Sequence, residues 1–141
     1  MIEPLVRAVD DDLVRIRLAA PSGLVVNAYL LRAGDALALV DTGFSCTAPD
    51  LVAGLAEVGV QPADLTHVLY THTHYDHIGG GAALAHSMDA EHVLPRGTGA
   101  FFRSFFTEAP RIPDYPEGIS RLLPSDALGG PVVTQLREAP R

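Results

Sequence analysis

The chain has 141 residues, enough for one domain with a real hydrophobic core and too few for two of ordinary size. Its formal net charge is −7, and the ten basic residues, all Arg, form no stripe that could neutralise a phosphate backbone, which argues against a nucleic-acid partner. Cys46 is the single cysteine, so no intramolecular disulfide can form. The opening MIEPLVRAVDDD lacks a signal-peptide pattern, and no apolar run approaches the roughly 20 residues of a membrane helix, so a cytoplasmic protein that does not span a bilayer is expected.

In chain order the pattern is mixed α and β, without internal repeats. Residues 12–18 (DLVRIRL) alternate apolar and charged, the period of a half-exposed strand. Residues 24–32 (LVVNAYLLR) and 36–40 (ALALV) flank the turn Ala33-Gly34-Asp35 and predict a hairpin, which makes the N-terminal third antiparallel sheet. Leu51, Val52, Leu55 and Val58 fall at helical spacing over 49–58, with Thr47 as N-cap and Gly59 as stop. A short strand at 66–70 (THVLY) leads into THTHYDHIGG. A helix is then expected from Asp76 or His77 to Ser87, followed by a strand at 91–94 (EHVL). A helix over 97–107 with Phe101, Phe102, Phe105 and Phe106 on one face, a Pro-rich loop at 111–118 and a last strand at 131–137 complete the reading.

The informative stretch is residues 72–77, HTHYDH. It lies at the carboxyl end of a strand, where α/β sheets place ligands because the loops there vary while the sheet holds them. His72 and His74 are two apart, so in extended chain both imidazoles point to one side, as two ligands of one metal must. Asp76 and His77 fall where the chain turns into the helix and are expected to point elsewhere. Four donors aimed in two directions suggest a pair of zinc ions sharing a water whose pKa is lowered to near 7. A surface loop that happens to be rich in His is the alternative, at chance odds on the order of one in a thousand.

HTHYDHIGG resembles the H-x-H-x-D-H signature of the metallo-β-lactamase superfamily, and VNAYLLRAGDALALVDTGF resembles the hairpin before that signature, ending in D-T-G. The resemblance runs from about residue 12 to the C-terminus. It implies an α/β fold, the N-terminal portion of an αββα sandwich in which a mixed β-sheet has flanking helices, over a single domain spanning 1–141. It implies a hydrolase that uses metal-activated hydroxide on an ester, thioester, lactone, amide or phosphodiester bond of a small molecule. His72 and His74 would hold one zinc ion and Asp76 and His77 a second, with Asp76 also orienting the hydroxide or taking its proton. Asp41 would support the ligands from behind.

The chain also departs from that pattern. The family's later ligands, a His in a G-H-T-P-G-like turn, a bridging Asp and a last His, have no counterpart before Arg141. His67, on the same strand, lies roughly 16 Å before His72 and on the opposite face. His86 is about 13 Å past His77 along a helix axis, and His92 opens the next strand at the wrong end of a parallel sheet. With two protein ligands per ion where a catalytic zinc has three, weak binding is expected of the isolated chain. The domain is therefore expected to be C-terminally incomplete, either a truncated, inactive metal-binding fragment or a half completed by another copy or a complementing chain over the exposed sheet face. A rival reading takes ALALVDTGF as the D-T-G turn of a retroviral-type aspartic protease, with Asp41 as the catalytic carboxylate. It leaves HTHYDH without a purpose.

Overall fold

The alternation in DLVRIRL produces the strand it predicts, and its partners build outward from it. In the computed structural model, which describes Glu3, residues 5–95 and the backbone of 136–138, seven strands form one sheet in sequence order. They are β1 (Val6–Ala8), β2 (Leu13–Ala19), β3 (Val25–Ala33), β4 (Ala36–Val40), β5 (His67–Leu69), β6 (Glu91–Leu94) and β7 (Leu136–Glu138). The first four are antiparallel and the last four parallel, so β4 belongs to both halves. The predicted hairpin is β3–β4, closed where Ala33 faces Ala36. The sequence reading omits β1, whose three residues are too few to show a period. The strand expected at 131–137 overlaps β7 at residues 136 and 137; the rest of it, the helix at 97–107 and the loop at 111–118 lie outside the described residues.

Among the described residues, two α-helices interrupt the parallel half. α1 (Ala48–Glu57) carries a Pro in its first turn and buries Leu51 and Leu55; Thr47 is its N-cap, but the Thr47 hydroxyl donates to Phe44 O at 3.0 Å and not to the helix. α2 (Tyr75–Ala83) begins at the tyrosine between the histidines and ends before a separate 3-10 turn, Ala85–Ser87, so the helix expected to reach Ser87 is broken at Leu84. Both helices lie on one face of the sheet. Ile16, Leu18, Leu30, Leu39 and Val68 pack there against Leu51, Leu55 and Ile78 in one core cluster, and all eight are fully buried. At roughly 1.5–3 kcal/mol for each such side chain, this layer dominates the stability of the described part. The opposite face carries Leu13, Tyr29, Leu31, Val40 and Leu69, half-buried and interrupted by Arg15, Arg17 and Asn27. Glu3 pairs with both Arg15 and Arg17 at that edge.

Because β4 and β5 are parallel neighbours, their carboxyl ends meet at the same sheet edge. The loop after β4 begins with Asp41, and the loop after β5 with Tyr70 and Thr71. This adjacency assembles the site.

Candidate metal centre

Asp41 is the hinge between sheet and ligands. Its backbone sits at φ 57°, a left-handed conformation that L residues other than Asn and Asp rarely adopt, and its N–H donates to Leu69 O at 2.8 Å. This turns the carboxylate across to the neighbouring loop. Oδ1 accepts the Thr71 backbone N–H at 2.8 Å, and Oδ2 accepts the Thr71 hydroxyl at 2.7 Å. Oδ2 also lies 2.9 Å from His77 Nδ1. Burial by itself would raise the Asp41 pKa, but the hydrogen bonds from His77 and Thr71 outweigh it and hold the carboxyl below its ordinary value.

A glycine triplet brings α2 against this loop. A Cβ on Gly79 would come within 2.6 Å of Ser45 N, and one on Gly80 would overlap the Thr42 carbonyl, so the backbones touch where only hydrogen fits. Four bonds cross the contact: Thr42 N–H and Thr42 Oγ1 both donate to His77 O (2.8 and 2.7 Å), Gly81 N–H donates to Thr42 Oγ1 (2.8 Å), and Gly80 N–H donates to Gly43 O (3.0 Å). His77 is thereby fixed at both backbone and ring. The sequence reading gives Thr42 and Thr71 no role, although each hydroxyl directly follows or precedes a residue it singles out.

The ligand-bearing side chains then converge. One nitrogen from His72, one carboxylate oxygen of Asp76 and one nitrogen of His77 lie within 4.8 Å of one another. The sequence reading pairs His72 with His74 and Asp76 with His77. In the folded chain the first turn of α2 carries Asp76 and His77 back beneath His72, and the His72 and His77 rings stand 4.0 Å apart between centroids. His74 caps α2, its backbone carbonyl accepting the N–H groups of His77 and Ile78, and its ring meets His72 edge-on at 4.7 Å. Two imidazoles and a carboxylate are the protein donor set of a three-ligand zinc site, so the residues present fit one ion with a position left for water.

His77 is flanked by Asp41 on Nδ1 and by Asp76 Oδ2 at 3.4 Å from Nε2, and the two carboxylates, Asp41 foremost, push its pKa up to about 9. For Asp76, burial raises the pKa, but the hydrogen bond from His77 prevails and keeps it low. His72 is lowered, first by burial and then by His77 and His74. The other histidines are elsewhere. His67 pairs with Glu91 at 3.5 Å, and His92, fully buried, bonds Tyr70 Oη through Nδ1 at 2.8 Å. Among the described residues no helix is long and apolar enough to cross a membrane.

A mixed sheet that presents a His-Asp-His set at the carboxyl end of a strand is an α/β scaffold with a candidate metal site. The family model described as the metallo-beta-lactamase superfamily matches residues 21–138, and the chain belongs to that superfamily. Among curated proteins, it is 33% identical to metallo-beta-lactamase domain-containing protein 1 of Xenopus laevis, over 71% of this chain and 49% of that one. It is 42% identical to hydroxyacylglutathione hydrolase of Anaeromyxobacter dehalogenans, over 53% of this chain and 27% of the relative. A solved subclass B3 metallo-beta-lactamase from a soil metagenome library superposes with a TM-score of 0.70 at 22% identity, covering 97% of this chain and 46% of that one, a likeness of fold. The chain spans about half the length, or less, of the relatives it matches.

Membership overturns the aspartic-protease reading of Asp41. Both oxygens of that carboxylate are engaged by Thr71 and His77, so it has no free oxygen for the proton-sharing work of a protease dyad.

Proposed function

We propose that His72, Asp76 and His77 hold a zinc ion, and that this site serves hydrolysis of an ester, thioester, lactone, amide or phosphodiester bond in proteins of this chain's full family length. The carrying observation is the convergence of the three donor atoms within 4.8 Å on a loop braced by Asp41. A bound divalent ion supplies Lewis-acid polarisation and a water that ionises near neutral pH. The chain's own part is positioning. Asp41 holds the His77 ring by Nδ1 so that Nε2 faces the site, and the Asp76 carboxylate, placed at the first turn of α2, orients the attacking water and takes its proton. His74 stands against His72 at the rim, in reach of a second ion.

The first substrate to test is hydroxyacylglutathione, on the strength of the likeness to the Anaeromyxobacter hydrolase. Zinc-loaded protein should release product from it or from a panel of thioesters, lactones and phosphodiesters, and a chelator should abolish turnover. Turnover that survives chelation and the loss of His77 would refute the metal-dependent reading. The second reading, a metal-binding piece without turnover of its own, is favoured by the coverage of about half the relatives' length. It predicts zinc binding with no activity on any member of the panel.

A further inference from the structure

The Thr71 hydroxyl sits between two groups that cannot both receive its single proton. Asp41 Oδ2, 2.7 Å away, is a carboxylate oxygen and can only accept, so the Thr71 O–H points at it. His72 Nδ1 is 2.9 Å from the same oxygen. With its proton committed, Thr71 Oγ1 has only lone pairs to offer the ring, and the hydrogen bond requires His72 to carry its proton on Nδ1. In a neutral imidazole that leaves the lone pair on Nε2. On the other side, Asp41 Oδ2 accepts from His77 Nδ1 directly and keeps a proton on that nitrogen.

We propose that Thr71 is a positioning residue that relays the tautomer preference of Asp41 to His72, so that one carboxylate oxygen presents the Nε2 atoms of two histidines to the same site. The proposal rests on the reading of His72 as a metal ligand for its purpose, but the relay itself is a property of the metal-free chain. Thr71 is exposed, and its backbone N–H keeps its own bond to Asp41 Oδ1. Replacing the hydroxyl by a methyl of equal size therefore removes the relay and leaves the Thr71 N–H and His77 bonds to Asp41 in place. No core contact is lost.

The test uses Thr71→Val and Thr71→Ser. Long-range 1H–15N correlation spectra of the metal-free protein report the tautomer of each histidine. The wild type and T71S should show His72 protonated on Nδ1, and T71V should move it toward the Nε2–H form while His77 keeps its Nδ1 proton. Zinc affinity, read by competition with a chromophoric chelator, should fall about 10- to 100-fold in T71V and recover in T71S. A His72 that stays Nδ1-protonated in T71V overturns the relay, as does a T71S protein that behaves like T71V. If T71V proves too unstable for spectra, Thr71→Ala gives the same readout with the same expected direction. A wild type that shows the predicted tautomers but takes up no zinc supports the relay and refutes the metal reading alone.

Discussion

Gly80→Ala should separate α2 from the loop that orients its first turn. A Cβ at Gly80 would overlap Thr42 O, lie 2.9 Å from the Thr42 carbonyl carbon and 3.1 Å from Thr42 Cβ. Two of these are backbone atoms and cannot swing aside, so helix and loop must part. Overpacking of this kind costs about 1–3 kcal/mol. Parting also stretches the four bonds that Gly43, His77, Gly80 and Gly81 share with Thr42 and its neighbours, and losing two of them adds about 2 kcal/mol. Replacing a mid-helix glycine by alanine returns up to about 1 kcal/mol. The net expectation is a loss of about 2–4 kcal/mol in urea unfolding followed by circular dichroism, together with weaker zinc binding, because His77 O is the acceptor of two of the four bonds. Gly59→Ala is the control: its Cβ meets nothing within 4 Å, and the cost there, about 1 kcal/mol, comes from its φ of +74° alone. A Gly80→Ala protein within 0.5 kcal/mol of wild type would show that the interlock between α2 and the 42–45 loop does not exist as described.

Three more expectations come from the same geometry. Asp41→Asn should weaken zinc binding by about 10- to 100-fold, since it replaces an oxygen that accepts from both Thr71 and His77; unchanged affinity would remove Asp41 from the site. His92, fully buried and hydrogen-bonded to Tyr70 Oη, has its pKa pushed down to about 4 by burial. The unfolded chain takes up that proton near 6.5 and the folded chain does not, so stability should fall by about 3 kcal/mol as pH drops from 6.5 to 4, and His92→Gln should flatten that slope. His77 works in the opposite sense. Its pKa of about 9 lies above the free value, so its contribution is full below pH 6.5 and is lost as pH rises toward 9. The metal-free protein should therefore be most stable near pH 6.5 in chemical denaturation, and a profile flat from 5 to 9 would contradict both assignments.

What could be read ahead of the structure was whatever repeats along the chain. Alternation located β2, the apolar runs around Gly34 located β3 and β4, and helical spacing of Leu51 and Leu55 located α1, all within a residue or two. The site's ligand types were legible because HTHYDH concentrates them. Their grouping was not, because it depends on where α2 starts. Reasoning from extended chain places His72 and His74 together, and their rings do meet at 4.7 Å, but it does not bring Asp76 and His77 beside His72, which follows from the helix beginning at Tyr75. The parts played by Thr42 and Thr71 depend on contacts between loops more than 25 residues apart in sequence, which no local pattern encodes.

The most direct test of the account is a zinc titration of the purified metal-free protein, followed calorimetrically and checked by elemental analysis after dialysis. The account predicts at least one equivalent of bound zinc in the wild type and loss of that equivalent in both His72→Ala and His77→Ala, with each variant still folded by circular dichroism. Zinc content in those two variants equal to the wild type, or a folded wild type that retains none, would contradict it.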